Sequence, residues 1–309
     1  MKIAQLPASG TVEGIYRITY KDAKQTQKGD LYLTLGLADE TGEVEAKVWE
    51  NAQEVDSRFQ KGDVARVKGT LDSYKGQKQV VVTHLEHADR EEIERLIPKA
   101  PRSLEEMEAE WHALVALVEN PHLKALLERV WNNQELRQAL STAPGGKKIH
   151  HPYRGGLLEH ALAVAKCAYL LWLKVYPHLD RDLLVAGGLL HDIGKTQELA
   201  WVGTEPEYTD RGRLLGHVML GNEILARLMG EIDFPPELAM KLQHIVASHH
   251  GEPETGAVQK PMFKEAVVIH FLDELDSKLS GFQVFLQKDQ QEGNWTSYHR
   301  WFERFIYKG

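Results

Sequence analysis

The sequence predicts two domains, a small N-terminal all-β barrel followed by an all-α helical bundle. Three observations carry that prediction. Apolar and polar residues alternate at period two through much of the first ninety residues, as in half-buried strands. Beyond residue 103 the apolar positions recur at helical spacing instead. Between the two textures lies EHADREEIERLIPKAPRS, a charged stretch whose Pro98 and Pro101 suit an interdomain connection. A chain of 309 residues also exceeds what one ordinary core serves. The expected boundaries are a barrel at 1–88, a linker and helical lead-in at 89–145, and the main helical domain at 146–309.

Taken in order, a strand is expected at about residues 11–21. Leu31, Leu33, Leu35 and Leu37 alternate in a second, and Val44, Ala46 and Val48 in a third. The turn DETG at 39–42 joins those two as a hairpin connection would. A short helix fits residues 51–60. Two further strands fit 63–74 and 77–85, joined across Lys75-Gly76. Five strands with a helix between the third and fourth is the order of an OB-fold barrel. If the leucines face inward, Tyr32 and Thr34 face out, and by the same parity so do Lys47 and Trp49. An outward Tyr and Trp beside a Lys would offer a stacking platform for single-stranded bases. Aromatics are also good strand formers in their own right, and an exposed one can cover a neighbouring domain.

The helical region opens with Ser103 and Glu106, spaced as a capping box. Helices should break at Asn120-Pro121, at 143–146 and at Pro235-Pro236, and no internal repeat is evident. In the C-terminal NWTSYHRWFERFIYK, residues Tyr298, Trp301, Phe302 and Phe305 fall at helical spacing, which predicts a docking helix.

With 42% hydrophobic and 27% charged residues the chain has the composition of a soluble globular protein. The start MKIAQLPASG lacks a signal-peptide run, and no stretch is expected to span a membrane. One cysteine, Cys167, cannot form an internal disulfide, so the expected compartment is the cytoplasm. The net charge is −8; residues 1–90 hold 13 Lys and Arg against 14 Asp and Glu, and the remainder 24 against 31. An acidic helical domain disfavours nucleic acid unless metal ions or local basic loops offset it. Homo-oligomerisation is left open.

The histidines carry the chemistry. His191 and Asp192 interrupt LLVAGGLLHDIGK, an otherwise apolar helix where such a pair needs compensation. A divalent cation supplies it, since imidazole and carboxylate suit Zn, Mn, Fe or Co; a buried His–Asp hydrogen bond would as well. His160 and Asp273 lie in two more apolar helices, and a bundle builds a metal site from inward ligands of this kind. His217 and the doublet His249-His250 could hold a second ion, with Asp192 bridging.

The series His160, His191-Asp192, Asp273 resembles the ligand set of the HD-domain phosphohydrolases. The histidines at 217, 249 and 250 match its two-metal members. More closely, HHPYRGGLLEH, LLHDIGK, LLGH and SHHG behind an OB-like domain resemble the YhaM-type 3′-to-5′ exoribonucleases. That resemblance implies an HD helical domain and a divalent metal, with Mn²⁺ the first expectation and Co²⁺, Fe²⁺, Ni²⁺ or Zn²⁺ as alternatives. It implies metal-activated water attack on single-stranded RNA or DNA, releasing nucleoside 5′-monophosphates from the 3′ end. Asp192 and Lys195 are the expected catalytic residues, Lys195 contacting the scissile phosphate. An ordinary helix-end cation is the other reading of Lys195. Arg154 and the segment 147–151 would draw in the backbone, unless they form only a solvated basic loop. Two other functions compete: a nucleotide phosphohydrolase or cyclic-nucleotide phosphodiesterase, and a single-strand-binding factor with a vestigial site.

Overall fold

Period-two alternation closes the N-terminal strands into a five-stranded barrel. Strands β1 (Gly10–Gln25), β2 (Leu31–Asp39), β3 (Gly42–Val48), β4 (Val64–Tyr74) and β5 (Gln77–His87) pair in the order β1-β2-β3-β5-β4, and β4 returns to β1. Neighbours are antiparallel except β3 and β5, which run parallel. The computed structural model describes residues 1–7, 9–74 and 77–309. The expected turn at Lys75-Gly76 lies outside the described residues.

Inside the barrel Leu33, Leu35, Leu37, Ala46 and Val80 are fully buried, with Val12, Ile18 and Phe59 beside them. Each such side chain contributes roughly 1.5–3 kcal/mol on leaving water. The DETG turn forms as expected: Asp39 Oδ1 accepts from Thr41 N at 2.7 Å and Thr41 Oγ1 at 2.6 Å, while Asp39 pairs with Gly42. Helix α1 (Ala52–Arg58) lies between β3 and β4 and buries Ala52 in the barrel core. This is the OB-fold order. Thr34 keeps the face of its cross-strand partner Lys47 but is buried there, because Lys47 folds across it and donates to its hydroxyl at 2.8 Å.

The connection is partly ordered. Asp89 and Glu92 form a reciprocal cap on helix α2 (Arg90–Leu96). By contacts the chain divides into two units, Met1–Pro98 with Trp201–Glu205, and Lys99–Ala200 with Pro206–Gly309. The second unit holds α3 (Leu104–Leu117), α4 (Pro121–Asn132), α5 (Gln134–Thr142), α6 (Gly156–Lys174), α7 (Arg181–Leu190), α8 (Lys195–Glu198), α9 (Asp210–Gly230), α10 (Pro236–Ser248) and α11 (Lys264–Lys288). Ser103 and Glu106 form the predicted capping box on α3, and the Asn120 side chain caps α4. Helices α3 to α5, expected as a lead-in, share one core with α6 and α7: Met107, Trp111, Leu126 and Leu140 sit among Leu158, Leu162, Leu184 and Leu189.

Three features depart from the sequence expectation. A two-stranded hairpin, β6 (Leu199–Val202) with β7 (Glu205–Tyr208), interrupts the helical region. The C-terminal segment is not the predicted helix. Asp289 accepts from Ser297 N and Lys308 Nζ, and Trp295 bridges Tyr307, so the segment doubles back instead of coiling. Phe302 and Ile306 are buried there, while Tyr298, Trp301 and Phe305 are exposed. Helix α6 is long and apolar enough to cross a membrane. Its composition follows from its place in the bundle, with Leu157, Leu158, Leu162 and Ala165 all in the interior.

Helix α7 lies directly on α6 because residue 188 is glycine: a Cβ there would stand 2.6 Å from Ala165 Cα and 2.7 Å from Ala165 N. Gly188→Val is therefore expected to destabilise the helical unit by about 1–3 kcal/mol or more. A denaturation midpoint equal to that of the parent chain would refute this close approach.

Candidate metal centre

Four side chains from three helices converge in the helical core. His160 projects from α6, His191 and Asp192 follow the last turn of α7, and Asp273 projects from α11. Their ligand atoms all lie within 4.8 Å of one another, and all four residues are buried. His160 Nε2 is 3.0 Å from His191 Nε2, 3.1 Å from Asp273 Oδ1 and 3.5 Å from Asp192 Oδ2. His217, His249 and His250 form a second group whose ligand atoms also lie within 4.8 Å of one another. Asp192 stands between them: its Oδ1 is 3.4 Å from His249 Nε2 and 3.6 Å from His217 Nε2.

Backbone breaks deliver these ligands. His249 caps the C-terminal end of α10, where the chain leaves the helix. Helix α9 kinks at Gly216, in the left-handed region at φ 69°, immediately before His217. At the kink Glu198 Oε1 accepts from both His217 N and His217 Nδ1, each at 3.0 Å. Gly194 permits the approach, since a Cβ there would stand 1.9 Å from the His217 carbonyl oxygen.

The histidine tautomers are fixed from outside. His191 Nδ1 donates to Gly188 O at 2.9 Å, and His249 Nδ1 to Val246 O at 2.8 Å. His160 Nδ1 meets Asp276 Oδ2 at 2.7 Å, and His217 Nδ1 meets Glu198. With Nδ1 committed outward, each ring turns Nε2 inward, the arrangement that a metal-binding imidazole needs. Asp192 Oδ1 and His249 Nε2 are buried and have no hydrogen-bond partner among the described residues. Such orphans are rare, and a cation between them would satisfy both. Imidazole nitrogen and carboxylate oxygen together suit a borderline divalent metal. These residues fit one.

The electrostatics agree. Burial pushes the Asp192 carboxyl up, but the Lys195 ammonium and the charges of the neighbouring His191 and His217 outweigh it, holding Asp192 well below the carboxylate range. Asp273 behaves likewise, with His160 and His191 overcoming burial. Burial, joined by His249 and His217, keeps His250 neutral. For His160, burial opposes the charge, yet hydrogen bonds to Asp273 and Asp276 push the imidazole up to about 9.

Lys195 is buried, with Nζ 2.6 Å from Asp192 Oδ2 and donating to Gly145 O at 2.8 Å. Its charge is thus committed to Asp192 in this arrangement. Asp276 and Glu198 were not anticipated from sequence. Asp276 lies one helical turn after Asp273, and that spacing was the only signal for it; Glu198 sits three residues past Lys195 in a segment with no periodicity. His151 is also drawn in, with Nε2 2.8 Å from Asp276 Oδ2.

Of the nucleic-acid candidates, three meet on the barrel. Tyr32 and Trp49 stack with ring centroids 4.6 Å apart and planes at 24°, leaving Trp49 48% exposed. Lys47 Nζ is 5.7 Å from the Tyr32 ring centroid, but it also pairs with Glu45 at 3.1 Å. The fourth, Arg154, belongs to the helical unit, is half-buried, and accepts at its carbonyl from Ala100 N at 2.9 Å.

Comparison with known proteins gives both domains. Residues 157–278 match the HD domain family, and residues 11–88 match a family described as an OB-fold nucleic acid binding domain. The 3′-5′ exoribonuclease YhaM of Shouchella clausii (strain KSM-K16) is 31% identical over 262 residues, 84% of this chain and 81% of that protein. Among solved structures, the single-stranded DNA binding protein from Thermus aquaticus is 29% identical over 26% of this chain and 40% of that one, with a TM-score of 0.24. The second OB-fold domain of replication protein A from Methanococcus maripaludis is 24% identical over 29% of this chain and 95% of that one, with a TM-score of 0.23.

The raised His160 sets a pH dependence for chelator-treated protein. Its folded-state value of about 9 lies above the ordinary 6.5, so its stabilising contribution is full below about 6.5 and lost as pH rises through about 9. Denaturation of the metal-free chain should therefore become easier across that window. Loading with Mn²⁺ should flatten the dependence, because the ion displaces the proton. An unchanged slope with and without metal would contradict the assignment of His160.

Proposed function

This chain belongs to the YhaM 3′-5′ exoribonuclease family, and on that premise we propose that it trims single-stranded RNA from the 3′ end. It is a hydrolase with an OB-fold and an HD domain. The observation that carries the finer reading is the buried Asp192 carboxylate, with one oxygen facing each cluster of candidate ligands. We assign one ion to His160, His191, Asp192 and Asp273, and a second to His217, His249 and His250 with Asp192 bridging. Mn²⁺ is the proposed metal, with Co²⁺, Fe²⁺, Ni²⁺ and Zn²⁺ as alternatives. The proposed domains are 1–88, 89–145 and 146–309, and the proposed compartment is the cytoplasm, which suits an exposed free Cys167.

When bound, divalent cations here supply a water that is nucleophilic at neutral pH and neutralise charge on the phosphoryl group. Water attack at the terminal phosphodiester breaks the P–O3′ bond, leaving a shortened strand with a free 3′-hydroxyl and a nucleoside 5′-monophosphate. Asp192 holds the two clusters in register, and Lys195 fixes Asp192 while lending positive charge beside the phosphate. Asp276 and Glu198 keep His160 and His217 turned inward. On the barrel, the Tyr32–Trp49 stack presents Trp49 to a base, with Lys47 near the backbone. Arg154 is assigned to the RNA backbone on the helical domain.

Incubation with Mn²⁺ and 5′-labelled single-stranded RNA should give a ladder shortened progressively from the 3′ end, absent in Asp192→Ala. Intact RNA alongside rapid hydrolysis of free nucleotides would replace this reading with a nucleotide phosphohydrolase; tight binding without turnover in any metal would leave a binding factor. Losing one stacked base costs about 1–3 kcal/mol, so Trp49→Ala should weaken RNA binding roughly fivefold to a hundredfold in a fluorescence titration. Turnover of bis(p-nitrophenyl) phosphate by that variant should stay at the parent level. Unaltered RNA affinity would remove Trp49 from the interface.

A further inference from the structure

One imidazole beside the centre is neither a candidate ligand nor hydrogen-bonded at its buried nitrogen. His150 Nδ1 is buried and has no partner among the described residues. Its ring centroid lies 5.6 Å from that of His160. Among the described residues, none of the groups able to hold a metal includes it.

The next residue shows the contrast. His151 Nε2 is 2.8 Å from Asp276 Oδ2, and its Nδ1 is 2.8 Å from the Tyr153 hydroxyl. Its backbone N donates to Ser280 Oγ at 3.0 Å, and its carbonyl accepts from Gly145 N at 2.9 Å. All this holds His151 at φ 44°, a left-handed conformation unusual for a non-glycine residue and further restricted before Pro152. Strain of this kind persists only where surrounding contacts over-determine it.

That strained turn presents His150 to the centre. The loop is pinned from the other side as well, since Lys195 Nζ donates to Gly145 O. Gly146 closes it: a Cβ there would stand 3.1 Å from His150 O and 3.2 Å from His150 Nε2. Burial, with the Lys195 and His160 charges, favours the neutral imidazole over the pull of Asp192 and Asp273. A neutral ring packed near His160 with an unpartnered nitrogen can donate one hydrogen bond to an anion held beside it.

We propose that His150 donates from Nδ1 to a non-bridging oxygen of the scissile phosphate. This rests on reading the centre as a phosphodiesterase site. The test compares the parent chain with His150→Ala and with His150→Asn, whose amide nitrogen can stand in for Nδ1. Mn²⁺ content per chain and thermal midpoint should match the parent in both variants. A hydrogen bond to a charged group lost in His150→Ala should lower turnover of bis(p-nitrophenyl) phosphate and of single-stranded RNA together, by about tenfold to a hundredfold. His150→Asn should recover part of it. Binding of inorganic phosphate to the Mn²⁺-loaded chain, read by calorimetry, should weaken in parallel and reports the contact without turnover. Parent-level turnover and phosphate binding in His150→Ala would overturn the proposal, as would a loss that merely follows lost Mn²⁺. An effect on RNA alone would also overturn it, placing His150 on the strand or leaving group. A parent chain that hydrolyses the nitrophenyl diester but leaves RNA intact would sink the exoribonuclease reading while the His150 comparison stays readable.

Discussion

A carboxylate withdrawn from water carries a desolvation penalty of several kcal/mol, and Asp192 is withdrawn almost completely. The surrounding structure is organised to offset it. Lys195 sits against one oxygen, His160 and His191 share that side, and His217 and His249 approach the other. Without metal, the ammonium and the protonated His160 supply positive charge. Divalent cations replace protons rather than filling a neutral hollow, so metal uptake and proton release are one equilibrium. The same carboxylate that is hardest to bury is the one placed to be shared.

Placing it demands backbone that regular helices do not supply. Helix α7 ends one residue before His191, so the ligand pair leaves the helix in a turn. Helix α9 breaks at Gly216 and α10 stops at His249, so three of the five chain segments feeding the centre reach it at a helix discontinuity. His160 and Asp273 come from within unbroken helices, α6 and α11. Close approach then needs residues without side chains, Gly188 against α6 and Gly194 against the His217 carbonyl.

The barrel was readable because each strand repeats the same short-range pattern: Leu33, Leu35 and Leu37 are buried as their alternation demands. Thr34 is nonetheless buried on the outer face, because a neighbouring strand's Lys47, invisible to a one-strand pattern, covers it. The seven candidate ligands stood out as polar residues in apolar helices, and they do meet in space. Asp276 and Glu198 did not stand out, because a charged residue on a helix face is ordinary until its partner is known. The C-terminal segment misled for a related reason. Tyr298, Trp301 and Phe305 have helical spacing, but hydrogen bonds and an ion pair from residues 297 and 308 back to Asp289 decide its path, and spacing carries no trace of them.

The outer partners of the histidines are of two chemical kinds, and they differ in how mutation can reach them. His191 and His249 are oriented by the backbone carbonyls of Gly188 and Val246, which survive any side-chain replacement at those positions. His160 and His217 are oriented by the carboxylates of Asp276 and Glu198, which a single nucleotide change can remove. Each cluster therefore pairs one ligand whose orientation is hard to mutate with one that is adjustable. Evolutionary retuning of this centre, toward another metal or a weaker grip, has its shortest routes through Asp276 and Glu198, without touching a ligand.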